Sequence, residues 1–138
     1  MQSNVPGADT GPSALPGDIL IVEDDPLLAL DFSDTLTSIG VASVRRAARS
    51  QDALAMIAEH APDFAVLNVA LVRETSFAVA EQLDELGIPF VFVTGYVAPK
   101  TFPAKFVTRP VLIKPYRHEL LLEFVANWRD MTKAARQD

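Results

Sequence analysis

The chain of 138 residues contains no cysteine. Disulfide bonds, thiolate nucleophiles and cysteine-based metal sites are therefore excluded at the outset. Positive charge is also in short supply, since 12 Lys and Arg stand against 18 Asp and Glu for a net charge of -6. A nucleic-acid surface needs clustered cations to neutralise phosphates, so nucleic acid is not an expected partner. The acidic balance favours solubility and a partner carrying basic patches. No apolar run approaches the ~20 residues needed to span a bilayer, so no membrane role is expected. The opening segment, MQSNVPGADTGPSALPGD, has neither a basic stretch nor an apolar core and does not read as a secretory signal. The cytoplasm is the expected location.

What is present fits one globular domain, with 49% hydrophobic and 22% charged residues. Residues 1–17, rich in Pro, Gly, Ser and Ala and without periodicity, read as a flexible tail, and residues 18–134 read as the domain. Within it, short apolar runs alternate with amphipathic ones. ILIV (19–22), FAVL (64–67), IPFVFV (88–93) and VLI (111–113) are continuous rather than alternating, the pattern of strands buried on both faces, and VASV (41–44) is a weaker fifth. Asp25 followed by Pro26 marks a helix start, and Gly40 and Gly87 mark helix ends. Apolar stripes predict inward faces at Leu28, Phe32, Leu36 and Ile39, then at Leu54, Ile57, Ala58 and Ala61 behind a Ser50 cap. Further stripes run through Val79, Ala80, Leu83 and Leu86, and through Leu120, Leu121, Phe124, Val125 and Trp128.

One connection breaks the pattern. GYVAPKTFPAKFVTRP, residues 95–110, holds Pro99, Pro103 and Pro110. An interior proline costs a helix roughly 3 kcal/mol, so at most a short or irregular helix is expected, in a weakly protected segment.

Strand–helix alternation of this kind predicts an α/β fold, a parallel sheet with helices on both faces. Ligands of such sheets bind beyond the carboxyl ends of the strands. Those ends carry Glu23, Asp24 and Asp25, then Asn68, Thr94 and Lys114. Adjacent carboxylates suit Mg2+, a hard cation that prefers oxygen ligands. A lysine and a threonine hydroxyl suit the oxygens of a phosphoryl group. The expected chemistry is phosphoryl transfer, yet the nucleophile is missing: a carboxylate at position 68 would serve, and an amide does not.

The motifs ILIVEDDPLL, PDFAVLNVAL, FVFVTGY and VLIKPY resemble, in order, those of the receiver domain of two-component response regulators, over roughly residues 18 to 134. The resemblance implies a doubly wound five-stranded sheet of order 2-1-3-4-5, the flavodoxin-like receiver fold. It implies Mg2+ held at Glu23, Asp24, position 68 and Ala70, with Thr94 as the switch hydroxyl. Lys114 is implied to contact phosphate, and Pro115 to follow a cis peptide bond. The phosphoacceptor aspartate of the family corresponds to Asn68. Implied partners are a histidine kinase or histidine phosphotransfer protein and a downstream signalling protein. The aromatic usual three positions before the lysine is replaced by Val111, and Tyr96 is a candidate for its switching role. FVTGY, the proline-rich connection and Val111 together resemble an atypical subgroup with a Phe-Ala-Thr-Gly-x-Tyr-like signature. In alphaproteobacteria that subgroup is associated with general stress signalling and single-domain regulators.

The resulting expectation is a single-domain, non-enzymatic response regulator. A phosphorylatable form would accept phosphate at position 68, and Asn68 makes this form phosphorylation-silent. Asn68 is natural to a receiver working without phosphorylation, a replacement that traps the unphosphorylated state, or an amide that slow deamidation turns back to aspartate, a route the following Val69 disfavours. Two alternatives stand beside this reading. One is a phosphorylation-independent adaptor or decoy for a kinase or anti-sigma-type partner. The other is a magnesium-dependent hydrolase, which ranks last because it lacks a carboxylate nucleophile and a lid. Arg45, Arg46 and Arg49 are expected as a solvated loop cluster, His60 and His118 as solvent-facing side chains without the partners of a phosphotransfer or metal site, and Trp128 as core.

Overall fold

Continuous apolar runs have no polar face to turn to water, so they gather in the middle of the structure and helices cover them from both sides. The computed structural model describes residues 15–95 and 102–131. Residues 1–14 of the expected tail, and Tyr96, lie outside the described residues. The strands are β1 (Asp18–Val22), β2 (Ser43–Ala47), β3 (Phe64–Asn68), β4 (Ala70–Leu71), β5 (Glu74–Thr75), β6 (Phe90–Thr94) and β7 (Val111–Ile113). The helices are α1 (Pro26–Ser38), α2 (Ser50–Glu59), α3 (Phe77–Glu85) and α4 (His118–Ala126). One parallel five-stranded sheet runs β2-β1-β3-β6-β7, and β4 and β5 form a separate antiparallel ribbon. Leaving the ribbon out of the count, this is the expected 2-1-3-4-5 order of the doubly wound, flavodoxin-like fold.

Strand alternation divides the interior in two. Leu20, Val22, Ala65, Leu67, Phe90 and Phe92 enter one core with Ala53 and Ile57 of α2 and Val79, Ala80 and Leu83 of α3. Ile19, Ile21, Phe64, Val66, Val91, Val93 and Leu112 enter the other with Phe32 and Leu36 of α1 and Leu121 and Val125 of α4. Full burial of each of the larger side chains among these, Val, Leu, Ile and Phe, contributes roughly 1.5–3 kcal/mol, which fixes the register and with it the position of every strand end.

The helix ends follow the chemistry of their caps. Asp25 Oδ1 accepts the N–H groups of Leu27 at 2.9 Å and Leu28 at 3.4 Å, and Pro26 sits where no N–H is needed. Gly40 (φ 110°) and Gly87 (φ 73°) take the left-handed conformation that closes α1 and α3. The residues after them, Val41 and Ile88, donate back to Leu36 and Leu83. That use of Val41 is why the second strand begins at Ser43 rather than at Val41.

Other expectations are corrected. Ser50 is the first residue of α2, and its hydroxyl donates to the Thr75 carbonyl rather than capping the helix. The Ser50 N–H is instead satisfied by the Glu74 carboxylate at 3.2 Å, a cap supplied from β5. Leu28, Leu86 and Leu120 are exposed, as are Ala58 and Ala61; α2 turns Ile57 inward as expected, with Ala53 in place of the two alanines. Arg45 lies in β2, not in a loop: it pairs with buried Asp18 and donates to the carbonyls of Met56 and His60.

Among its described residues the proline-rich connection carries a 3-10 turn, Ala104–Phe106. Its described part is nevertheless firmly held. Phe106 is wholly buried against Phe77, Phe90 and Phe92, and Phe102 stacks edge-on with Phe77 and Phe92. Asp84 of α3 pairs with Arg109 at 2.7 Å and with Lys105 at 3.7 Å. Aromatic burial and a shared counter-ion thus do what a helix does elsewhere in the sheet. Val111, paired in register with Phe92, packs against the same cluster.

Candidate functional site

The carboxyl ends of four strands converge because the parallel ladder keeps them level. Val22 is in register with both Ala47 and Leu67, Asn68 with Val93, and Thr94 with Ile113. The ladder bonds continue one step further, from Glu23 N–H to Ala47 at 3.0 Å, Val69 to Val93 at 2.9 Å and Lys114 to Thr94 at 2.8 Å. The chain therefore turns away at the same level in each strand, leaving Glu23, Asn68, Thr94 and Lys114 around one edge. Thr94 is buried there at the end of β6. Lys114 reaches over from the end of β7, where the Lys114–Pro115 peptide is cis.

At the centre is Glu23, only 4% exposed. Its Oε2 accepts the Asp25 N–H at 3.1 Å and the Asn68 amide at 3.2 Å. Its Oε1 accepts no hydrogen bond, and Lys114 Nζ lies 3.9 Å away. Burial pushes the Glu23 carboxyl above its ordinary value, with Asp24 adding to the rise, while the Asp25 N–H and the Lys114 charge pull it back. The same Asn68 Nδ2 that meets Glu23 also donates to the Ala70 carbonyl at 2.7 Å. Ala70 is presented by the β4–β5 ribbon, which is itself tied to α2 through Glu74 and Thr75.

A divalent cation would meet a mixed donor set here. Glu23 Oε1 is a buried acceptor without a hydrogen bond, and Asp24 is half-buried beside it. Against this, the Asn68 N–H groups point at the Glu23 and Ala70 oxygens that a cation would require. Among the described residues no group of three or more His, Cys, Asp or Glu is arranged to hold a metal. With the amide so placed, the site does not fit Mg2+.

Beside this edge, Tyr116 stacks on Phe32 with ring centroids 5.6 Å apart. Burial pushes its phenol above the ordinary range, and Asp31 and Glu23 add to the rise. His118 is solvent-facing as expected, with Nε2 3.4 Å from the exposed Asp31 Oδ2. Arg49 is exposed yet lies 3.8 Å from Glu74. The sequence reading missed Glu74, the Asp18–Arg45 pair and Asp84, because long-range polar contacts leave no periodic signature. Trp128 is partly buried against the α1–α4 core.

Known proteins resemble this chain in sequence and fold. The chain is 37% identical to SdrG from Sphingomonas melonis Fr1, whose solution structure it matches over 85% of its own length and 98% of that chain with a TM-score of 0.71. It is 27% identical to the chemotaxis protein CheY4 of Vibrio cholerae, covering 81% of this chain and 98% of that one at a TM-score of 0.69. It is also 29% identical over 93 residues to the transcriptional regulatory protein PdtaR of Mycobacterium tuberculosis, covering 63% of this chain and spanning about half, 45%, of that protein. No helix among the described residues is long and apolar enough to cross a membrane. Residues 19–126 match the response regulator receiver domain, and the chain belongs to that family.

Proposed function

We propose that the protein is a receiver module of a two-component phosphorelay that, with asparagine at position 68, acts through protein contacts and accepts no phosphate. One observation carries this reading: the side chain at the centre of the strand-end cluster is a carboxamide with both N–H groups bonded, to Glu23 and to Ala70. An acyl phosphate forms when a carboxylate oxygen attacks phosphorus, and a neutral amide offers no such nucleophile. The surrounding residues are those a phosphoacceptor would use. In this reading Lys114 would meet a phosphate oxygen, and Thr94 would report the phosphate to the 95–110 segment. In an Asn68→Asp form, position 68 would take phosphate from a histidine kinase or histidine phosphotransfer protein. In the present form the same partners would be bound without transfer, and a downstream signalling protein would see one constant state.

The adaptor reading gains from the same observation, since the amide is accommodated without a broken bond. Both readings are tested by treating the Asn68 and Asn68→Asp proteins with acetyl phosphate and Mg2+ and following intact mass. A phosphate adduct on the Asn68→Asp variant alone supports the receiver assignment. An adduct on the Asn68 protein, or none on the variant, overturns it.

A further inference from the structure

We propose that the Asn68 carboxamide takes the place of the divalent cation in this fold: it bridges Glu23 and Ala70, holding the acidic edge closed without metal and making the protein indifferent to Mg2+. The inference rests on the receiver reading above and concerns how this chain's own residues replace what that reading implies. The first ground is geometric. One atom, Nδ2, lies 3.2 Å from Glu23 Oε2 and 2.7 Å from the Ala70 oxygen. These two groups come from different elements, the end of β1 and the ribbon after β3, and the amide is the link between them.

The second ground is the direction of that link. The amide orientation is fixed by its partners, because a carbonyl oxygen cannot donate and the nitrogen must therefore face Ala70. A carboxamide nitrogen has two hydrogens, and both are used. The third ground is enclosure. Asn68 is 8% exposed and Glu23 4%, so water competes little for the bond between them, while the bond to exposed Ala70 is part-buried. A cation entering here would have to sit ~2.0–2.1 Å from oxygens that the amide hydrogens already fill. The electrostatics point the same way. The amide adds no negative charge, and the one carboxylate it touches has Lys114 at 3.9 Å as counter-charge. The bond to Glu23 thus needs no cation beside it, only a donor to hold the two elements together.

The test compares the full chain carrying Asn68, Asn68→Asp or Asn68→Ala, each stripped with chelator and then given millimolar Mg2+ or KCl of equal ionic strength. Thermal unfolding and the 15N-labelled side-chain and backbone amide spectra are the readouts. For the Asn68 protein the expected result is a midpoint that Mg2+ moves no more than KCl does, with unshifted Asn68 side-chain amide and Ala70 signals. Asn68→Asp should gain a Mg2+-specific rise in midpoint and shifts at Glu23 and Ala70. Asn68→Ala, which removes the bridge without adding charge, should lose midpoint in chelator and recover part of it in Mg2+. A Mg2+-specific rise or amide shift in the Asn68 protein overturns the replacement while leaving the receiver reading intact. An Asn68→Asp protein that ignores Mg2+ overturns both, since there would be no cation for the amide to replace.

Discussion

Asn68→Asp is the substitution that weighs the repulsion this site avoids. In the structure, Nδ2 approaches Glu23 Oε2 at 3.2 Å and attracts it. A carboxylate oxygen in that place would repel it by roughly 5 kcal/mol at an effective dielectric of ~20. The Ala70 carbonyl would lose its donor as well, at under about 1 kcal/mol because this exposed residue can turn its oxygen to water. Three responses reduce the total. Lys114, 3.9 Å from the other Glu23 oxygen, shields part of the field. The new side chain can rotate its oxygens toward solvent. Glu23, whose carboxyl burial already pushes up, can take a proton and share it with the introduced carboxylate. A net loss of about 1–3 kcal/mol is expected, a large share of a marginal stability of ~5–15 kcal/mol.

The sign of the pH dependence follows from that shared proton. The folded variant holds it to higher pH than the unfolded chain does, so the variant's deficit shrinks as pH falls and grows as pH rises toward neutrality. Urea unfolding of both proteins in chelator, at pH 5 to 8, measures this directly. An Asn68→Asp protein as stable as the Asn68 form at neutral pH would refute the reasoning, and so would a deficit that does not change with pH.

The remaining predictions concern Glu23 and the proline-rich connection. In the Asn68 protein, Glu23 has a folded value above its unfolded one, so its contribution to stability should fall as pH rises from about 4.5 through the raised folded value and then level off. Glu23→Gln should remove that step, read as the difference between the two proteins' urea midpoints across pH. Arg109→Ala should leave Asp84 with only the more distant Lys105 and cost ~1–2 kcal/mol. Amide exchange should then quicken at Phe106 and Arg109, whose N–H groups bond to Pro103 and Phe106, while α4 stays unchanged. Phe106→Ala should cost about 3–5 kcal/mol, since the ring is fully buried among aromatics, and chemical denaturation would show it.

How much could be read from the chain before the fold depended on the range of each interaction. The three central strands and their order are legible because burial on both faces leaves a continuous apolar run, and Asp25 and the two helix-ending glycines act through neighbours within a few residues. The alanine stripe of α2 misled because alanine is apolar enough to fit either face of a helix, and only the larger Ile57, beside small Ala53 at the strands, decides the rotation. The connection after β6 misled for a different reason. Its prolines disfavour a long helix, but they say nothing about Asp84, whose partners lie 21 and 25 positions further along the chain at Lys105 and Arg109. The site shows both limits at once. Its membership was legible, because strand ends are local features and the ladder makes them coincide. The bonding of Asn68 was not, because Glu23 stands 45 residues away in sequence and the amide's second partner is a backbone oxygen that every residue type possesses. A substitution read from sequence as the loss of a nucleophile is, in the folded protein, also the gain of a donor. The loss bears on phosphorylation and the gain on metal dependence, so Asn68→Ala, which lacks both groups, can separate them.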